Sequence, residues 1–145
     1  MKNKKFTLLF ISLLLLAVLA GCASQSATAQ TVEGLSAEQV AALPVHISVD
    51  QAYAAMQSGE TLFIDVREQT EYDAGHLPGI TLIPMMQVPD RLDEIPTDQQ
   101  VIVTCHSGNR SGQVADFLIN MGYSNVHTMD GGIAEWEASG YPVEK

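Results

Sequence analysis

The segment Gln100–Thr104 carries the apolar run Val101-Ile102-Val103. The chain then turns through Cys105-His106-Ser107-Gly108-Asn109-Arg110-Ser111 into a stretch where Val114, Phe117, Leu118 and Met121 fall at i, i+3, i+4 and i+7. A short apolar run without polar alternation predicts a strand buried on both faces, and the spacing after it predicts an amphipathic helix over 110–121, closed by Gly122. The alternation recurs along the chain. Val45–Ile47 precedes the capping box Ser48-Val49-Asp50-Gln51 and a helical face of Val49, Ala52, Tyr53 and Met56, ended at Ser58-Gly59. Leu62–Val66 is an apolar strand broken by Asp65, and Thr81–Ile83 predicts a short one. Met85, Val88, Leu92 and Ile95 mark another helical face despite Pro89. Asn125–Met129 is a further strand, and Gly131-Gly132 leads into a last helix with Ile133 and Trp136. Strands alternating with helices predict an α/β domain, a mostly parallel sheet covered on both faces. Ligands of such sheets sit at the carboxyl ends of the strands, where Cys105 and Asp65 are both expected.

A thiol at the mouth of a helix is chemically distinctive. Unpaired backbone N–H groups and the helix dipole favour the thiolate, and the same N–H groups cradle an anion. Gly108 and Asn109 tolerate the backbone angles that let those groups converge. Arg110 adds a permanent positive charge that either clamps a substrate oxygen or pairs with an acid. Ser111 suits a helix cap better than a nucleophile. His106 suits a side chain at the pocket mouth better than a metal ligand, and His46, His76, His106 and His127 show no metal spacing.

The first residues form an address. Lys2, Lys4 and Lys5 precede an apolar run from Phe6 to Ala20, too short for a comfortable span, which ends in Leu19-Ala20-Gly21-Cys22. That ending resembles the lipobox of bacterial lipoproteins, in which the cysteine is lipidated. The resulting expectation is a signal peptide over 1–21 and a lipidated tether over 22–43. Within the tether, Ser36-Ala37-Glu38-Gln39 forms a capping box that allows a short helix stopped by Pro44. The domain proper is then 44–145. With Cys22 lipidated, Cys105 has no intramolecular partner, since the chain has two cysteines. The chain carries 7 Lys+Arg against 17 Asp+Glu, and three of the lysines lie in the leader. A surface this acidic excludes a nucleic-acid partner.

Asp65 interrupts an apolar strand and needs a partner. Arg67 and Glu71 complete an expected network that locks the loops, while His76, beside Gly75 and Pro78-Gly79, is expected to stabilise a turn.

Taken together, the motifs resemble the rhodanese-like family of sulfurtransferases in its single-domain form. They are Asp65-Val66-Arg67-Glu68, Glu71-Tyr72, Gly75-His76-Leu77-Pro78-Gly79, Cys105-His106-Ser107-Gly108-Asn109-Arg110-Ser111, and Met129-Asp130-Gly131-Gly132-Ile133 with Trp136 and Gly140-Tyr141-Pro142-Val143. The resemblance runs from about Val45 to the end. It implies a five-stranded, mostly parallel sheet with helices on both faces. It implies that Cys105 takes the outer sulfur of thiosulfate as a persulfide and passes it to cyanide or a thiol. His106, Ser107, Gly108, Asn109, Arg110 and Ser111 would bind the anion. No metal or organic cofactor is implied, and a monomer anchored in the bacterial cell envelope is expected.

Two other readings compete. A phosphatase on a related fold uses a Cys-x5-Arg loop, whereas Arg110 makes this loop Cys-x4-Arg and position 111 is serine. A tethered sulfur carrier or protein-binding module would use the same fold without turnover. An oxidation-sensing role lacks a resolving cysteine.

Overall fold

The computed structural model describes residues 34–145. The expected signal peptide, Cys22 and most of the expected tether lie outside the described residues. In chain order the elements are α1 (Ala37–Ala41), β1 (His46–Ile47), α2 (Val49–Ser58), β2 (Thr61–Asp65), α3 (Gln69–Ala74), β3 (Thr81–Leu82), two 3₁₀ segments (Met85–Asp90 and Leu92–Glu94), β4 (Gln100–Thr104), α4 (Asn109–Asn120), β5 (Val126–Met129) and α5 (Gly132–Ala138).

The five strands form one sheet in the order β1-β5-β4-β2-β3. Every pairing is parallel. β4 is central, and Asp65 at the end of β2 lies opposite Thr104 at the end of β4. The Cys105 loop and the acid that interrupts β2 therefore leave the sheet side by side, at its carboxyl edge.

Period-two alternation sends successive side chains to opposite faces. Phe63, Ile102 and Met129 join Val49, Ala52, Ala55, Ile133 and Trp136 on one face. Ile64, Val101, Val103 and Val126 join Val114, Ala115 and Leu118 of α4 on the other, together with Cys105. Each face thus has its own apolar cluster, and the sheet is covered on both sides. Trp136 is wholly buried, and its indole N–H donates to the Pro142 carbonyl at 2.8 Å.

Both expected capping boxes form, with Ser36 and Gln39 on α1 and Ser48 and Gln51 on α2. A serine cap contributes ~1 kcal/mol. α1 belongs to the domain rather than to a tether. Val40 is completely buried in the α2–α5 cluster, and Leu35 and Leu43 pack against it. The helix expected over Met85–Ile95 is instead two 3₁₀ segments. Pro89 has no N–H to donate, so an α-helical ladder is broken there. The same apolar residues still point inward, and Val88 and Ile95 are buried.

Candidate active site

Cys105 follows β4 directly, and its residue is 1% exposed. α4 begins four residues later, with Gly108 as its N-cap at φ +94°. That backbone angle strains any side chain, and a Cβ there would lie 3.2 Å from the Gly131 amide nitrogen. The Gly108 N–H donates to the sulfur at 3.2 Å.

Burial is the largest single influence on the thiol and pushes it up. The Ser111 N–H, the Ser111 hydroxyl and the N–H groups of Ser107 and Gly108 together overcome it and hold Cys105 below the ordinary thiol value. The groups that lower the thiol are mainly backbone N–H donors.

The loop is shaped from outside by α5. The Ile133 N–H donates to the Cys105 carbonyl at 2.9 Å and the Ala134 N–H to the His106 carbonyl at 3.1 Å. Because each peptide is planar, carbonyls drawn toward α5 turn the N–H groups of His106 and Ser107 the opposite way. Gly132 makes this docking possible. It sits at φ +58°, and a Cβ would lie 2.6 Å from the carbonyl carbon of His106. The Gly131-Gly132 pair was legible in the sequence as a turn; its role as a buttress was not, because that role depends on tertiary contact.

Two ion pairs flank the loop. Asp65 and Arg67 are buried and joined by three side-chain hydrogen bonds of 2.7–3.0 Å. Arg67 also donates to the Gly75 carbonyl at 2.7 Å, which ties β2 to the Gly75-His76 turn. His76 continues the tie. Its Nδ1–H donates to the Tyr72 carbonyl at 3.0 Å, its ring stacks on Tyr72, and its backbone bridges to Glu144.

Glu71 is not part of that network by hydrogen bonding. It belongs to Arg110, which grips both carboxylate oxygens at 2.7 Å. The physical reason is placement: α3 projects Glu71 toward α4, while the short β2 end folds Arg67 back onto Asp65. Hydrogen bonds from Arg110 are the largest influence on Glu71. They outweigh burial, and with the Glu68 N–H and the charges of Arg110 and Arg67 they hold its carboxyl down to about 2. The same hydrogen bonds raise Arg110, and the charge of Cys105 adds to the effect. Arg110 therefore pairs with an acid and lies within electrostatic reach of Cys105.

Ser111 is not the cap of α4. It lies inside the first turn, wholly buried, and its hydroxyl donates to the Gly108 carbonyl at 3.1 Å. His106, Ser107 and Asn109 are exposed on the loop rim. A cleft of about 350 Å³ opens beside the rim, lined by Arg67, Glu71, Ala74, Gly75, His106, Ile133 and Glu137. His46 and His127 lie away from it: His46 pairs with Asp130 at the surface, and His127 donates to the Pro44 carbonyl.

A buried, hydrogen-bonded cysteine sits at the carboxyl edge of a parallel sheet, beside an arginine and under a second helix, an arrangement suited to a nucleophile. The Rhodanese-like domain profile matches residues 48–139, and the chain belongs to that family. The chain is 32% identical over 94 residues to a thiosulfate sulfurtransferase GlpE of Pseudoalteromonas translucida, covering 65% of this chain and 90% of that protein. It is 37% identical over 84 residues to a sulfurtransferase of Allochromatium vinosum, covering 58% and 78%. Among solved structures, a rhodanese-related protein from Thermoplasma volcanium superposes with a TM-score of 0.64 at 29% identity, over 70% of this chain and 98% of that one.

Proposed function

We propose that the protein is a thiosulfate:thiophile sulfurtransferase that works through a Cys105 persulfide. The observation that carries this reading is the buried Cys105 sulfur at the mouth of α4, where the Gly108 N–H donates to it at 3.2 Å. The Cys105 thiolate attacks the outer sulfur of thiosulfate. A sulfur–sulfur bond forms, the bond from that sulfur to the sulfite group breaks, and sulfite leaves with the electron pair. A thiophile such as cyanide or a thiolate then attacks the outer sulfur of the persulfide and returns Cys105 as thiolate.

The near-closed sulfur supports this donor class, because it admits a slender terminal atom more readily than a bulky ester. The loop donors that hold the thiolate are also placed to hold a persulfide anion and to meet the sulfite oxygens. Arg110 supplies positive charge next to the sulfur, already moderated by Glu71.

The leader supports an envelope address. Lys2, Lys4 and Lys5, the apolar run to Ala20 and Leu19-Ala20-Gly21-Cys22 fit lipidation at Cys22 and a domain facing outside the cytoplasm. Cys22→Ser is then expected to move the protein from the membrane to the soluble fraction on fractionation of expressing cells. Retention in the membrane contradicts the lipid anchor.

The enzymatic test is thiocyanate release from thiosulfate and cyanide. Parallel double-reciprocal lines, lost in Cys105→Ala, are expected of a two-step transfer. Turnover that persists in Cys105→Ala removes the cysteine from the mechanism.

A further inference from the structure

Thr128 lies on β5, outside the strand–loop–helix unit that carries the nucleophile. It is wholly buried, as is Ser111. Its backbone N–H is spent on the Val45 carbonyl in the sheet. Its hydroxyl donates to the Ser111 hydroxyl oxygen at 2.9 Å. Ser111 in turn donates to the Gly108 carbonyl at 3.1 Å, and the Gly108 N–H lies 3.2 Å from the Cys105 sulfur. Valine would fill the same buried strand position without a hydroxyl to satisfy. The hydroxyl at 128 has one side-chain partner, and that partner leads to the sulfur.

We infer that Thr128 is a positioning residue for Cys105: its hydroxyl, acting through Ser111, fixes the Gly108 turn and keeps hydrogen-bond donors on the thiolate. By occupying an acceptor site of the Ser111 oxygen, Thr128 directs the Ser111 proton away from β5, toward the Gly108 carbonyl. Linked donors of this kind strengthen one another in a dry interior.

The charged groups around the sulfur are Arg110 on α4 with Glu71 of α3, the Asp65–Arg67 pair beside β4, the titratable His106 on the loop, and the exposed Asp130 and Glu135 at the α5 side. Thr128 carries no charge, so replacing it leaves all of these in place. The inference rests on Cys105 being the nucleophile, and its test does not require thiosulfate to be the donor.

The test uses the full chain with Cys22→Ser, so that Cys105 is the sole thiol. Alkylation of Cys105 by iodoacetamide is followed by intact mass across pH, beside kcat/KM for thiosulfate. Thr128→Val is expected to move the alkylation midpoint up by about half to one pH unit. It is expected to lower kcat/KM about three- to tenfold on the acid side and to regain the parent value at alkaline pH. Thr128→Ser is expected to restore both, and Thr128→Ala stands in for valine if the valine variant does not fold. A folded valine or alanine variant with the parent midpoint overturns the inference. A loss of equal size at every pH does the same, since it marks a packing defect. Should the parent chain itself fail to turn over thiosulfate, the alkylation midpoint alone decides the role of Thr128.

Discussion

The two ion pairs that flank the Cys105 loop have the same chemistry and opposite settings. Asp65 and Arg67 have side chains 0% and 5% exposed, whereas Glu71 and Arg110 are about one-third exposed, at 34% and 32%. The buried pair holds backbone, because Arg67 spends a further hydrogen bond on the Gly75 carbonyl. The half-exposed pair holds charge near the sulfur. Burial thus divides the labour: one pair makes the shape of the site, and the other adjusts its electrostatics.

The largest expected effect comes from breaking the buried pair on one side. Asp65→Ala leaves the Arg67 charge buried without its partner, and a loss of about 3–5 kcal/mol is expected in urea unfolding. Replacing both, as Asp65→Leu with Arg67→Met, is expected to recover most of that stability while freeing the Gly75 turn. A single variant no less stable than the parent contradicts the assignment of shape to this pair.

Gly132→Ala probes the buttress that the pairs flank. The new methyl meets the backbone of Cys105 and His106, so α5 or the loop must shift. A fall of about 10²-fold in kcat/KM is expected, because misplacing reacting groups by about an ångström costs that much. An unchanged kcat/KM shows that α5 does not set the loop.

Arg110→Ala is expected to cost no more than about 1 kcal/mol of stability, since exposed pairs contribute little. Its effect is expected in catalysis, as a KM for thiosulfate raised about tenfold, the worth of one charge-assisted hydrogen bond. An unchanged KM assigns the anion site to the backbone donors alone.

The smallest effect is the acid dependence of the outer pair. Glu71 titrates near 4.5 when unpaired and near 2 in the fold. Its stabilising contribution is therefore complete above the unpaired value and fades as pH falls toward 2, because the unfolded chain takes up the proton first. Glu71→Gln is expected to narrow the difference in urea midpoint between pH 6 and pH 3. A parent and variant that lose stability in parallel over that window contradict this placement.

Much of this arrangement was legible in the residues. The β4–loop–α4 unit was set by Val101–Val103, the loop glycine and the helical spacing, all of them local signals. α1 was visible as a capping box, but its membership of the domain was not, because burial of Val40 depends on tertiary contact with α2 and β4. The partner of Glu71 is not readable from sequence for the same reason: proximity favours Arg67, and only the tertiary fold brings Arg110 to it. Pro89 is visible in the sequence, but the apolar spacing around it reads the same for an α-helix and for the two 3₁₀ segments that form. Thr128 left no signal at all, because a threonine in a strand is ordinary until its hydroxyl is seen facing Ser111.

The most direct measurement is the intact mass of the full chain carrying Cys22→Ser, after brief exposure to thiosulfate, beside the same chain with Cys105→Ala. A gain of one sulfur atom is predicted, absent in the alanine variant and removed by cyanide with thiocyanate released. A folded protein with a titratable Cys105 that gains no sulfur would contradict thiosulfate as the donor and the persulfide route with it.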